Sequence, residues 1–278
     1  MLGERTLVMG VLNVTPDSFS DGGKFFDAER AVEQAMEMER RGADLLDVGG
    51  ESTRPGSAGV SAQEELARVL PVLRALRGRL KIPVSIDTQK TEVAEAALDA
   101  GAQIINDIFG LKSDPRIAKV AARRRVPLIL MHMRGEPRTM QAGGFARDVM
   151  QDVMQGLRKS ASVARKSGVR KSQIILDPGI GFGKSFAQNY ELLQELPQLA
   201  KLGYPLLVGT SRKGFLGATL AREGKPAPPE ERIWGTAATV TASILNGAHI
   251  VRVHDVAEMV QVARVADCLL DPKQRPKN

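Results

Sequence analysis

The sequence predicts a single (β/α)8 TIM barrel with long loops after its first and second strands. Short runs rich in Val, Ile and Leu recur along the chain, and each is followed by a stretch with helical periodicity. Eight such units fill 278 residues, the length of one large barrel. An open doubly wound sheet would give the same local signals, but eight units in one chain favour closure. The barrel domain is expected over residues 1–270, with 271–278 as a basic tail expected to be disordered.

The strands read Leu7 to Asn13, Asp44 to Val48, Pro83 to Asp87, Ile104 to Ile108, Leu128 to His132, Ile174 to Asp177, Leu206 to Thr210 and Ile250 to His254. Their apolar runs suit parallel strands buried on both faces. The helices read Ala28 to Arg41, Ala62 to Leu76, Thr91 to Ala100, Pro115 to Arg124, Ala146 to Lys166, Phe186 to Leu202, Glu231 to Leu245 and Val256 to Leu269. Several end at a glycine, at Gly42, Gly78, Gly101, Gly168, Gly203 and Gly247, where a left-handed cap costs little.

With 43% hydrophobic and 26% charged residues, the chain can fill a large core without a partner. The strand-like run Leu7 to Leu12 follows the N-terminus with no basic region or long apolar stretch before it, so neither a signal peptide nor a membrane span is expected. Cys268 is the only cysteine, which excludes an internal disulfide and suits a reducing compartment, the cytoplasm. The net charge of +7 comes from Lys and Arg scattered through helices, with clusters at Arg123–Arg125 and in the tail. Solvated faces explain it better than nucleic acid, because one Trp and two Tyr offer no stacking platform; small anionic substrates also explain it.

A barrel enzyme places its site at the C-terminal ends of the strands. Those ends are polar here: Asn13, Asp47, Asp87, Asn106, His132, Asp177, Ser211 with Lys213, and Arg252 with His254. Any one of them alone would serve as a cap or turn residue. The segment Asp177-Pro-Gly-Ile-Gly-Phe-Gly-Lys-Ser185 resembles a phosphate loop, but Pro178 stands where the nucleotide pattern needs Gly. The dinucleotide fingerprint fails as well, since Gly183 follows Gly181 by two positions rather than three. What remains is a glycine turn that leaves the Asp177 carboxylate and the Phe182 ring at the barrel mouth.

His132, His249 and His254 lack helical metal spacing, and a lone cysteine gives no thiolate cluster, so a protein-built zinc site is not expected. His249 reads as structural. Arg252 and His254, two apart on one strand face, read as a small basic platform for an anion. Ser211-Arg212-Lys213-Gly214 follows the seventh strand, where barrels often bind phosphate, although a solvated Lys213 is the competing reading. Asn13 to Phe19 and Glu51 to Gly56 open two glycine-containing loops, Thr15 to Phe26 and Glu51 to Val60, expected to be binding elements that are mobile when empty.

Together these segments resemble the dihydropteroate synthases, a pterin-binding barrel family. The matches are Asn13 to Gly23, Asp47 to Gly56, Ser85 to Lys90, Gly101 to Ile108, Met131 to Gln141, Asp177 to Lys184, Gly209 to Gly217 and Arg252 to Asp255, in family order. Ile180 stands where Phe is frequent and Gly214 where Ser is frequent. The resemblance implies condensation of 6-hydroxymethyl-7,8-dihydropterin diphosphate with p-aminobenzoate, giving 7,8-dihydropteroate and diphosphate on the folate pathway. Loss of diphosphate leaves a cation delocalised into the dihydropterin, which suits an SN1-like path, with direct displacement as the alternative. It implies pterin binding by Asp87, Asn106, Asp177, Lys213, Met131 and Phe182, and diphosphate binding by Asn13, Thr53, Arg252 and His254. It assigns p-aminobenzoate to Phe19, Arg54, Pro55, Ser211 and Lys213, and Mg²⁺ to Asn13 with phosphate oxygens. Sulfonamide sensitivity as a class property and a homodimer also come from the resemblance. A pterin-binding methyltransferase-type barrel, which has no use for Thr53-Arg54-Pro55, and a non-catalytic pterin-binding protein remain the alternatives.

Overall fold

A computed structural model describes residues 2–15, 24–52, 59–135 and 144–274. Eight parallel strands carry the fold: β1 Leu7–Asn13, β2 Leu45–Gly49, β3 Val84–Asp87, β4 Ile104–Asp107, β5 Leu128–Met131, β6 Ile174–Asp177, β7 Leu207–Val208 and β8 Ile250–Val253. They pair in the order β6-β5-β4-β3-β2-β1-β8-β7. A parallel bridge from Leu176 to Leu206 and the bond from Leu176 N–H to Pro205 O join β6 to β7 and close the ring. The barrel is therefore the right reading of the repeated units, and the doubly wound sheet is not.

The helices are α1 Lys24–Arg40, α2 Ala62–Leu76, α3 Thr91–Asp99, α4 Arg116–Arg124, α5 Val149–Lys166, α6 Phe186–Gln194, α7 Pro197–Ala200, α8 Gly214–Thr219, α9 Ile233–Leu245 and α10 Val256–Leu270. All six expected cap glycines have positive φ, from 71° at Gly203 to 118° at Gly101. The expected Phe186 to Leu202 helix is two helices instead. Pro197 has no N–H to give to a fourth preceding carbonyl, so α6 stops and Pro197 opens α7. The helix expected from Ala146 starts at Val149 because the Asp148 carboxylate accepts from Gln151 N–H at 2.8 Å and caps it there. The helix expected from Glu231 begins as a tighter 3-10 turn over Pro229–Arg232. Helix α1 starts a turn before Ala28, and α8 was not expected at all.

Four strands end earlier than expected, so that Ile108, His132, Thr210 and His254 follow them, although His132 N–H still donates to Asp177 O at 2.9 Å. Past residue 270, Pro272–Gln274 form a turn, and Gln274 Nε2 donates to Glu4 O at 2.8 Å. Residues 275–278 lie outside the described residues.

Two apolar layers hold the barrel. One fills the space between strands and helices, with Val8, Leu12, Leu46, Ile86, Ile105, Leu130 and Leu176 facing outward. The other plugs the interior with Leu7, Met9, Leu45, Ile104, Ile129, Ile175, Leu207 and Ile250. Because successive side chains alternate across a strand, the next inward positions lie two residues further on. The expected solvated basic faces are present as surface pairs, Arg123 with Glu95 and Arg124 with Asp99. Among the described residues, no helix is long and apolar enough to cross a membrane.

Candidate functional site

Two residues above the apolar plug, the inward face changes character. Leu45 gives way to Asp47, Ile104 to Asn106, Ile129 to Met131, Ile175 to Asp177 and Ile250 to Arg252. These residues, with Asp87, Ile108, Ser211, Lys213 and His254, surround the C-terminal mouth. There, Asp47 apart, they line a cavity with Gly179, Ile180, Phe182 and Gly209.

Charge inside the mouth is organised around Arg252. Its Nε donates to Asp47 Oδ2 at 2.6 Å and its Nη2 to Asp87 Oδ2 at 2.9 Å. Asp47 Oδ2 also accepts from Asn106 Nδ2 at 2.9 Å, which leaves Asn106 Oδ1 buried with no hydrogen-bond partner among the described residues. Burial pushes the Asp87 carboxyl up, and the neighbouring Asp47 adds to this while Arg252 opposes it. Asp177 is also raised by burial, to about 6, although Oδ1 accepts from Gly179 N–H at 2.7 Å. Burial lowers the Lys213 ammonium to about 8, helped by Arg252. That ammonium sits 3.9 Å from the centre of the Phe182 ring, a cation–π contact.

In the Arg252–His254 platform the charge belongs to Arg252. Burial drives the His254 imidazole down to about 3, and Arg252, Arg212 and Lys213 push the same way, so at neutral pH it is an uncharged hydrogen-bonding group. His254 Nδ1 lies 3.0 Å from Ser211 Oγ, which also accepts from the His254 backbone N–H. The positive charges at the mouth are Arg252 and Lys213.

The structure brings Asp87, Asn106, Met131, Asp177, Phe182, Ser211, Lys213, Arg252 and His254 around one cavity. Asn13 ends β1 opposite Gly49, half-buried and outside that lining. Phe19, Thr53, Arg54 and Pro55 lie outside the described residues, as does most of both long loops. His132 does not join the mouth. It turns outward onto α5, where a side-chain carbon at Gly156 would come within 2.4 Å of its ring. His249 is structural, accepting from Leu206 N–H through Nδ1 at 3.2 Å. Asp47 was legible as a strand-end carboxylate, but its clamp on Arg252 and Asn106 was not. Ile108 and Ile180 were missed as lining residues; Ile108 lies two positions beyond Asn106, and strand parity would have found it.

The turn after β6 shows why it needs glycine. A side-chain carbon at Gly179 would lie 1.9 Å from His132 O, and one at Gly183 would lie 2.0 Å from Arg134 O. Both also have positive φ, 68° and 66°. The loop is pressed directly on the backbone that leaves β5, and this holds Phe182 over the cavity.

Comparison with known proteins places this architecture. The pattern that defines the pterin binding enzymes matches residues 9–254. A dihydropteroate synthase from Synechocystis sp. is 52% identical over 267 residues, covering 96% of this chain and 91% of the relative. The crystal structure of the Clostridium difficile dihydropteroate synthase in the presence of pteroic acid superposes with a TM-score of 0.90 at 45% identity, covering 96% of this chain and 98% of that one. The Xanthomonas albilineans dihydropteroate synthase with 4-aminobenzoic acid gives 0.88 at 43% identity, covering 96% and 94%. The chain belongs to the pterin binding enzyme family, among the dihydropteroate synthases.

Proposed function

We propose that this chain joins 6-hydroxymethyl-7,8-dihydropterin diphosphate to p-aminobenzoate, releasing diphosphate and 7,8-dihydropteroate. One observation carries the reading: a small buried cavity presents a carboxylate, an unpartnered amide oxygen and an ammonium from three different elements. A pterin edge carries a 2-amino group and a ring N–H as parallel donors, which suits the Asp177 carboxylate. Asn106 keeps Oδ1 and the second Nδ2 proton for the adjoining donor and acceptor. Lys213 faces the ring carbonyl and nitrogen acceptors, and Met131 and Phe182 cover the ring faces. Asp87 serves the N–H of the reduced ring.

The leaving group meets Asn13, Arg252 and His254 at the ends of β1 and β8, with Thr53 from the second loop. As the C–O bond to diphosphate breaks, the methylene carbon becomes a cation delocalised into the dihydropterin. Asp87 opposes that charge, and the amine lone pair then forms the C–N bond; the amine proton leaves with solvent or diphosphate. No protein nucleophile is required. Among the described residues no three His, Cys, Asp or Glu side chains cluster as a metal cage. Asn13 alone fits Mg²⁺ held mainly by phosphate oxygens, where the ion would neutralise the departing diphosphate. Ser211 and Lys213 take the benzoate carboxylate, with Phe19, Arg54 and Pro55 around the aryl ring.

We place the protein in the cytoplasm, which suits its single cysteine. A second copy is the proposed cover for Trp234, Leu245, Val265 and Leu269, which α9 and α10 leave exposed, Trp234 by 80%. Light scattering at a dimer mass supports this, and a monomer at micromolar concentration refutes it. The test of the reaction is diphosphate release with purified protein, Mg²⁺, the pterin diphosphate and p-aminobenzoate. Release that depends on both organic substrates is expected, and none above background overturns the proposal.

A further inference from the structure

Beneath the cavity wall lies a lysine that the reaction above does not use. Lys184 is 2% exposed, and neutral groups hold its ammonium. Nζ donates to Phe182 O at 2.9 Å and to His132 O at 3.2 Å, and lies 3.2 Å from His132 Nδ1. These acceptors belong to two separate pieces of chain, the glycine turn after β6 and the segment leaving β5. The two meet backbone on backbone, which buries carbonyls that have no side chain between them to serve as donor. Lys112 assists from the loop after β4, donating to Met133 O at 2.6 Å, while Asp152 of α5 lies 3.5 Å from His132 Nε2.

We propose that Lys184 is a positioning residue for the pterin pocket: from behind, its ammonium pins the turn after β6 to the end of β5 and so sets Phe182 and Asp177. Phe182 carries the effect onward, since its carbonyl is held by Lys184 while its ring lies against Lys213. Asp177 feels the same ammonium through space. Lys184, Lys213, Arg252 and the Gly179 N–H all favour its ionised form against burial. Lys184 in turn is lowered to about 7 by burial, with Asp177 and Asp152 raising it and Lys112 and Lys213 lowering it. The inference rests on the pterin reading of the cavity, so parent protein that binds no pterin would refute that reading rather than this one.

The test compares the parent with Lys184→Met, which keeps the chain and removes the donors, and with Lys184→Gln, which restores a donor without charge. The probes are 6-hydroxymethyl-7,8-dihydropterin and, separately, magnesium diphosphate, with pterin affinity followed from pH 4.5 to 9. Lys184→Met is expected to weaken pterin about tenfold while diphosphate affinity stays at the parent value, because the diphosphate groups sit on β1 and β8. Its acid limb of pterin binding moves to higher pH as Asp177 loses a neighbouring cation. Lys184→Gln is expected to regain most of the affinity yet keep the shifted limb. Parent-like pterin affinity with an unmoved limb in Lys184→Met overturns the proposal, as does an equal loss of both ligands. If Lys184→Met does not fold, an unmoved acid limb in Lys184→Gln overturns it alone.

Discussion

The inward faces of the eight strands hold two layers, only two residues apart, built on opposite principles. In the lower one, Leu7, Met9, Leu45, Ile104, Ile129, Ile175, Leu207 and Ile250 pack with no polar atom to satisfy. In the upper one, Asp47, Ser85, Asn106 and Asp177 are equally enclosed, yet Asp47 Oδ1, Ser85 Oγ and Asn106 Oδ1 have no partner among the described residues. Buried polar atoms left unsatisfied cost stability, whereas the apolar plug contributes it. The lower layer holds the barrel closed, so the upper layer can keep polar atoms available to a ligand.

That contrast breaks most visibly at Asp177. Asp177→Ala should leave near-UV circular dichroism intact but weaken the pterin by at least about 30-fold, since two ring donors lose their acceptor at about 1–3 kcal/mol each. Calorimetry giving equal affinity for mutant and parent would remove Asp177 from the pocket's chemistry. One layer down, Ile129→Ala should do the reverse: a fully buried Ile is lost from the plug at about 2–5 kcal/mol, while pterin affinity holds. Denaturant melts and a pterin titration on the same sample check both halves.

Within the upper layer, Arg252→Ala should weaken diphosphate about 10- to 100-fold, the loss of charge-assisted hydrogen bonds at about 1.5–3 kcal/mol, and the unphosphorylated pterin less. Competition titrations that show equal losses would move Arg252 off the leaving group. The pH profile sharpens the picture further. Asp177, raised to about 6, must be ionised to accept two donors, and Asp87, also raised by burial, must be ionised to serve the reduced ring, so affinity falls as pH drops and either carboxylate takes up a proton. Lys213, lowered to about 8, must keep its proton, so affinity also falls as pH rises above it. Each limb should approach about tenfold per pH unit. The alkaline limb should vanish in Lys213→Met; a limb that persists belongs to another group. The smallest effect lies outside both layers. Asp148→Ala should cost about 0.5–2 kcal/mol through the cap of α5, with parent-like turnover in the diphosphate assay.

Much of this plan was readable in advance because strands alternate with period two. Once Ile104 and Ile250 were apolar strand residues, Asn106 and Arg252 shared their face, and the six glycine stops bounded the helices between them. Boundaries slipped where a local competitor acted: Pro197 divided one helix and Asp148 delayed another. His132 counted among the polar strand ends, but parity sets it on the opposite face from Ile129 and Met131, and it packs outward on α5.

By itself, then, the sequence determined the repeat of strand and helix, the ring of polar strand ends and the glycine turn after Asp177. Closure of the barrel decided the electrostatics. Arg252 meets Asp47 across 205 residues of chain, Lys184 finds the His132 carbonyl after a different strand, and burial lowers the His254 pKa. Pairing within 3 Å and removal from water depend on which distant strands come to face one another. Local residue types carry no record of that until the ring is closed.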